Sequence, residues 1–276
     1  MIRYDLHCHS THSDGLLTPA EVIRRAAAHG VDVVALTDHD ELSGLAEARE
    51  AARECGIAFI DGAELSATWE DDTVHIVGLR VDPADASLVA GLSSVRSGRD
   101  ARARRIGDAL DAVGVHDAFE GAQAHATGGG LIARTHFARH LIATGHARDM
   151  KDAFRRFLTT GKPGHVPHAW ATLTQAVDWI RRSGGQAVLA HPGRYRLTEG
   201  AMERLLGEFR DLGGDAIEVL SPSHTPAQYV EFAAAARRFG LAVSGGSDFH
   251  APGESRMDIG GLPTMPAGAE PVWRTW

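Results

Sequence analysis

The sequence predicts an α/β protein, a seven-stranded sheet or barrel interrupted by an inserted helical subdomain. Three observations carry this. Seven short apolar runs alternate with amphipathic helical stretches, the pattern of a parallel α/β sheet or barrel. Between Val81 and about Ala171 the strand pattern disappears, leaving helical, Arg-rich and Gly-punctuated sequence. Histidines and carboxylates recur at the ends of the apolar runs, and in a barrel the C-terminal strand ends converge on one rim.

The runs are Ile2 to Leu6, Val31 to Thr37, Ile57 to Asp61, Thr73 to Leu79, Gln186 to Ala190, Ala216 to Leu220 and Leu241 to Ser244. Helices fill the gaps. Thr18-Pro19-Ala20-Glu21 supplies an N-cap, a proline at the first helical position and a capping-box glutamate, with Gly30 as the stop. Thr172 to Ser183, Ala201 to Leu212 and Pro226 to Phe239 show comparable apolar spacing and end at glycines. Inside the interruption, Arg99 to Gly114 and Arg134 to Leu141 read as helices. The expected division is a discontinuous barrel domain of residues 1–80 and 172–276 and a helical cap of residues 81–171. No strand precedes Gly128-Gly129-Gly130 in the way a phosphate cradle requires, so it reads as a turn. Pro263 to Trp276 carries no candidate ligand and reads as a packing tail.

Composition excludes several classes. A chain of 276 residues, 43% hydrophobic and 23% charged, can bury a substantial core and is not disordered. No apolar stretch reaches the roughly 18 residues of a membrane span, and Met1 to Gly15 holds charges and histidines where a signal peptide needs an apolar run. Cys8 and Cys55 are too few for a disulfide framework. The expectation is a cytoplasmic protein with no membrane contact and no stable protein partner. A net charge of −8 argues against a simple basic nucleic-acid clamp. Bound divalent cations would reverse the sign within one cleft, so an anionic nucleotide substrate stays open.

His7 and His9 follow the first run at a spacing of two, which puts both side chains on one face and Cys8 on the other. Asp14 lies in a Ser-Asp-Gly turn, where a carboxylate also caps its own backbone. Recurrence decides between metal ligands and polar side chains that merely face solvent or cap the backbone. Thr37-Asp38-His39-Asp40 ends the second strand, Glu64 follows the third, His75 lies on the fourth, His191-Pro192-Gly193 ends the fifth and Ser247-Asp248-Phe249-His250 ends the seventh. Imidazole and carboxylate without thiolate suit Zn, Mn or Fe, and a set this large implies more than one ion.

At these residues the chain resembles the PHP (polymerase and histidinol phosphatase) superfamily. The matching stretches are Asp5-Leu6-His7-Cys8-His9-Ser10 through Ser13-Asp14-Gly15, Thr37-Asp38-His39, Gly62-Ala63-Glu64, His191-Pro192-Gly193 and Gly246-Ser247-Asp248-Phe249-His250. The resemblance implies a distorted seven-stranded (β/α)7 barrel with three divalent ions, Mn²⁺ the first expectation and Fe²⁺ or Zn²⁺ the alternatives. It implies His7, His9, Glu64 and Asp248 around one ion, Glu64, His75 and His191 around a second, and Asp14, His39 and His250 around the third. Within the superfamily the chain is similar to the nucleoside 3′,5′-bisphosphate 5′-phosphatases and the exoribonuclease RNase AM. That likeness rests on Arg134-Thr135-His136-Phe137-Ala138-Arg139-His140, Gly161-Lys162-Pro163-Gly164 and His191-Pro192-Gly193-Arg194-Tyr195.

The implied activity is removal of the 5′-phosphate of a nucleoside 3′,5′-bisphosphate, or of 5′-terminal nucleotides of a short 5′-phosphorylated RNA. A hydroxide shared by the two ions on Glu64 would attack in line. Glu64, Asp248 and His191 are the expected catalytic ligands, and His224, in Ser221-Pro222-Ser223-His224 after the sixth strand, is placed to assist the leaving group. Arg134, Lys162 and Arg194 are candidates for phosphate recognition, with Ser223 and His224 beside them. His136 either touches substrate or caps the insertion. Arg139, Arg155 and Arg156 read as solvated helix charge. Trp69, Trp170 and Trp179 read as core or as base-stacking platforms. Two alternatives are a histidinol-phosphate or other small-molecule phosphomonoesterase on the same centre, and a non-catalytic metal-stabilised module.

Overall fold

The structure is a computed structural model that describes residues 2–127 and 131–276. Gly128-Gly129-Gly130, expected to form a turn, lies outside the described residues. The barrel half begins with β1 (Tyr4–Asp5), α1 (Pro19–Ala28), β2 (Val33–Leu36), α2 (Leu45–Cys55), β3 (Ala58–Trp69) and β4 (Asp72–Leu79). The insertion follows as α3 (Ala86–Asp111), α4 (Ala118–His125), α5 (Arg134–Ala143), α6 (Met150–Ala153) and a π-helical segment, Phe154–Leu158. The chain then returns through β5 (Ala171–Thr172), α7 (Leu173–Arg182), β6 (Gln186–Leu189), α8 (Glu199–Asp211), β7 (Ala216–Leu220), α9 (Pro226–Phe239) and β8 (Ala242–Gly245).

Seven strands run in the order β1-β2-β3-β4-β6-β7-β8, and the short β5 pairs with β3 off this path. Past the ends of β1 and β8 the chain closes on itself. Leu6 N donates to Gly245 O at 3.1 Å, Asp248 N to His7 O at 2.9 Å and His9 N to Phe249 O at 2.8 Å. A Cβ on Gly246 would sit 2.1 Å from that of His7, so only glycine lets the two loops approach this closely. The result is a nearly closed, distorted barrel.

The parallel pattern expected from the sequence needs one correction, because β4 is antiparallel to both β3 and β6. Trp69 pairs with Asp72, which leaves Glu70-Asp71 as a two-residue hairpin turn. Glu70 takes the positive φ of 48° that such turns demand. Strand β3 therefore runs eight residues beyond the expected Asp61, and Glu64 lies within it rather than after it. His75 sits near the start of β4 opposite Ser66, so the hairpin carries it back to the same rim.

The expected capping box at Thr18 and Glu21 forms, and Gly30 adopts φ 74°. Leu6, Ala35, Val77, Val188, Ala190 and Ala216 pack the barrel interior with Val272. The C-terminal tail is a packing segment, as expected: Trp273 stacks on Tyr4 with ring centroids 4.2 Å apart. The insertion has its own core, including Ile106, Leu110, Phe137, Leu141 and Leu158. Helix α3 spans both, since Leu88 and Leu92 belong to a barrel cluster. We propose that the boundary of the cap falls inside α3 rather than at residue 81.

Candidate metal centre

Every ligand candidate reaches the rim at which β1, β2, β6 and β8 end. His7 and His9 project inward while Cys8 packs outward with Val34 and Phe249, as the alternation requires. His7, His9, Asp14, Glu64 and His191 are buried, and His39, His75, His250 and Asp248 are 10–17% exposed at the side chain. Potential ligand atoms group as His9 with Asp14, His39 and His250; His7 with His9 and Asp248; His7 with Glu64 and His191; and His39 with Glu64 and His75.

Glu64 is at the middle of this arrangement. Its Oε1 lies 2.8 Å from His75 Nδ1 and 2.9 Å from His191 Nε2. Its Oε2 lies 3.3 Å from His7 Nε2, 3.4 Å from His9 Nε2 and 2.9 Å from His39 Nδ1. One carboxylate thus presents its two oxygens to two different histidine sets. Asp14 Oδ1 is 3.3 Å from His250 Nε2, and Asp248 Oδ1 is 3.4 Å from His9 Nε2.

Three carboxylate oxygens, Asp14 Oδ1, Glu64 Oε2 and Asp248 Oδ1, are buried without a hydrogen bond among the described residues. An unpaired buried anion is costly, and cations at the convergence of these atoms remove that cost. The residues fit a divalent-metal cluster. Ionisation agrees with this. Burial pushes the Glu64, Asp14 and Asp248 carboxyls up, but the surrounding histidines outweigh it and hold all three well below the usual carboxylate range. Burial, then the neighbouring imidazoles, lowers His9 to about 3. Burial also outweighs Glu64 at His75 and takes it to about 4. Both rings are neutral lone-pair donors at pH 7.

A supporting layer orients these groups. Glu218 accepts from His7 Nδ1 through one oxygen and from the His191 backbone N–H through the other, each at 2.7 Å. That fixes the His7 tautomer with Nε2 facing the centre, the usual carboxylate–histidine arrangement behind a metal. His250 Nδ1 donates to Asp248 O at 2.8 Å, leaving Nε2 toward Asp14. Thr135 Oγ1 donates to Asp14 Oδ2 at 2.6 Å. His191 and Asp248 adopt φ of 29° and 46°. Such conformations cost about 1–3 kcal/mol in non-glycine residues and concentrate at functional sites.

The insertion docks on this rim. Arg99 Nε donates to the buried Asp40 carboxylate at 3.0 Å, and Arg99 Nη2 to Ser66 Oγ at 2.8 Å. The docked cap forms a cavity of about 70 Å³ over the centre, with Arg99, Arg102, Arg134 and Arg194 facing Asp14, His39, His75 and His250. Burial, then Arg194 and Arg99, lowers Arg134 to about 10, and burial, then Arg134 and Arg99, lowers Arg102 to about 9. These guanidiniums repel one another, and an anion between them relieves the repulsion. Arg194 also reaches Asp248 Oδ2 at 3.2 Å. Trp170 lines the same cavity beneath Arg99, whose guanidinium lies 4.5 Å from the ring centroid.

Other candidates fall elsewhere. Lys162 lines a separate cleft and does not line the metal cavity. His224 is not free to deliver a proton. Its Nδ1 donates to Val219 O at 2.9 Å and its Nε2 accepts from Gly193 N–H at 3.0 Å, so it is neutral and holds the turn behind His191. Ser223 Oγ lies 3.0 Å from Ser221 Oγ, outside the cavity lining. Of its two expected roles His136 takes the cap, its Nδ1 accepting from Ala133 N–H at 3.0 Å. Arg139 is not solvated but buried against Glu254 at 2.9 Å. Trp69 is core, with Nε1 bonded to Glu208 at 2.7 Å. Trp179 packs partly buried against the barrel cluster.

The model of the PHP domain matches residues 5–182. The chain belongs to the PHP domain family. It is 51% identical over 274 residues to a 3′,5′-nucleoside bisphosphate phosphatase of Chromobacterium violaceum, covering 99% of this chain and 96% of that protein. It is 42% identical to the 5′-3′ exoribonuclease Rnm of Escherichia coli, covering 99% and 93%. A solved structure from C. violaceum, described as an amidohydrolase with bound sulfate and no metal, matches with TM-score 0.96 and 51% identity over 99% of this chain and 95% of that one. Among the described residues, no helix is long and apolar enough to cross a membrane.

Proposed function

We propose that this PHP-family chain is a metal-dependent phosphoesterase that hydrolyses the phosphate ester on the 3′ side of a 5′-phosphorylated nucleotide, releasing phosphate from nucleoside 3′,5′-bisphosphates and 5′-terminal nucleotides from short RNA; this one scissile position serves both substrates, whereas the 5′-phosphate expected from the sequence serves only the first. The observation that carries the reading is the division of Glu64, whose two oxygens serve two histidine sets beneath a ring of guanidiniums. His7, His9, Glu64 and Asp248 would hold one divalent ion, Glu64, His75 and His191 a second, and Asp14, His39 and His250 a third, with manganese the first choice. When bound, such ions supply an activated water at neutral pH and cancel charge on the phosphoryl oxygens.

The chain's own residues supply the rest. Arg194 binds the phosphoryl oxygens across the cavity from the histidines, and a charge-assisted contact of this kind orients the ester for in-line attack. Arg134, with Arg102 beside it, is placed for a second phosphate remote from the breaking bond. The docked insertion excludes bulk water, which strengthens each of these contacts. His224 and Glu218 are positioning residues, acting through His191 and His7. These guanidiniums come largely from the insertion, which a general sugar-phosphate phosphatase would not need. The test compares kcat/KM for adenosine 3′,5′-bisphosphate, adenosine 5′-monophosphate and a short 5′-phosphorylated RNA in Mn²⁺. The bisphosphate and the RNA should exceed the monophosphate by at least tenfold, and equal rates on all three would refute the assigned specificity.

A further inference from the structure

Beside the metal cavity lies a second, much larger cleft of about 850 Å³, and Phe154 lines both. Its walls carry Lys151, Arg155, Lys162 and Arg196 with the rings of Phe154 and Phe157, and no carboxylate lines it. That is a local reversal of charge in a chain of net −8. Lys151, Lys162 and Arg196 form no ion pair among the described residues, while Arg155 is held by Asp152 at 2.5 Å.

The backbone here is also unusual. Phe154 to Leu158 is π-helical, closed by Thr159 N donating to Phe154 O at 3.0 Å. Isolated π segments are rare and concentrate at functional sites. Four consecutive residues of this segment, from Phe154 to Phe157, reach the cleft. Size separates the two cavities by what they hold. About 70 Å³ over the ligands takes the phosphate-bearing end of a substrate, whereas about 850 Å³ takes several groups of a longer ligand. Positive charge interleaved with aromatic rings is the chemistry that binds single-stranded nucleic acid, phosphates on the cations and bases on the rings.

We infer that this outer cleft holds the single-stranded RNA that trails, on its 3′ side, from a scissile phosphodiester seated in the metal cavity. The inference rests on the phosphoesterase reading above. It separates two roles that the sequence assigned together. Arg134 serves the second, non-reacting phosphate of a mononucleotide, and Lys162 serves the chain beyond it.

The test uses the full-length protein with Mn²⁺ and the double variant Lys151→Glu/Arg196→Glu, which leaves the metal cavity untouched. Binding of a 5′-hydroxyl RNA octamer is followed by fluorescence anisotropy, with kcat/KM on adenosine 3′,5′-bisphosphate measured in parallel. The variant should bind the octamer at least tenfold more weakly and keep its rate on the bisphosphate within about twofold. Removing two phosphate contacts should also flatten the salt dependence of octamer binding by roughly 1.4 log units per log unit of salt, since each contact on a single strand contributes about 0.7. Equal octamer affinity in the two proteins would overturn the inference, as would equal losses on octamer and bisphosphate. A polyglutamate that binds as tightly as the octamer would overturn the assignment to RNA. A wild-type protein inert on the bisphosphate refutes the reading of the metal cavity instead, and the binding contrast still decides the cleft.

Discussion

Replacing Glu218 by glutamine probes the layer that aims the ligands. Glu218 is 1% exposed and uses both oxygens as acceptors, one for His7 Nδ1 and one for His191 N–H, each at 2.7 Å. Glutamine is nearly the same size but has one acceptor, so one of the two donors must face an NH₂ group. A buried donor left unpaired costs about 1–3 kcal/mol. At about 1.4 kcal/mol per factor of ten, that corresponds to the 10- to 100-fold loss of metal affinity typical when such a supporting partner is removed. The manganese dissociation constant, measured by titration of the chelator-treated protein, should therefore rise about 10- to 100-fold. The activity lost at limiting Mn²⁺ should be largely recovered at saturation, with the circular dichroism spectrum unchanged. An unchanged dissociation constant would refute the reasoning, because both ligands would then be aimed without Glu218.

Glu64→Gln should lose more than one equivalent of bound metal, since Glu64 faces two histidine sets; full metal content by elemental analysis would rule out the bridging role. Arg134→Ala should lower kcat/KM for adenosine 3′,5′-bisphosphate about 10- to 100-fold, the value of a charge-assisted contact, while a small aryl phosphate changes little; equal losses would show that Arg134 serves the reacting phosphate or the fold. Gly246→Ala forces a Cβ to within 2.1 Å of His7 Cβ and should cut both thermal stability and metal binding, so a variant matching wild type in both would contradict the tight closure. His136 is 1% exposed and burial lowers it to about 4. The unfolded chain takes up a proton there near pH 6.5 and the folded one does not, so stability present above pH 6.5 declines as pH falls to about 4, by roughly 3 kcal/mol. His136→Asn should flatten the denaturant-midpoint profile over that window, and an unaltered slope would show that His136 does not drive it.

Much of the centre was legible in the sequence because metal chemistry demands a narrow set of side chains, and strand-end loops bring them to one rim whatever their spacing. His7, His9, Asp14, His39, Glu64, His75, His191, Asp248 and His250 all reach it. The supporting layer was less visible. Glu218 lies in Ala216-Ile217-Glu218-Val219-Leu220, a wholly buried strand, and a lone carboxylate in such a run was a signal that its partner is a histidine or a metal. Arg99 and Arg102 gave no such signal. On a 26-residue helix rich in arginine they resemble solvated charges, and only the docking of α3 on Asp40 sets them over the centre. The antiparallel β4 was hidden because apolar content reports burial rather than direction. The cue was the Glu70-Asp71 turn, where neither residue is the glycine or asparagine that usually marks a hairpin. His224 and Lys162 show the opposite failure. Each has the right chemistry on the right loop or subdomain, but local hydrogen bonds occupy one and a different cleft holds the other.

Whether the histidine–carboxylate cluster is a metal-dependent centre acting on the ester at the 3′ side of the nucleotide is read out with adenosine 3′,5′-bisphosphate. Chelator-treated, metal-free protein is incubated with it before and after addition of Mn²⁺, and the nucleotide product is separated by chromatography. Turnover should be absent without metal and recover on adding Mn²⁺, with adenosine 5′-monophosphate and free phosphate as the first products. Full turnover by the metal-free protein, or adenosine 3′-monophosphate as the product, would contradict this reading.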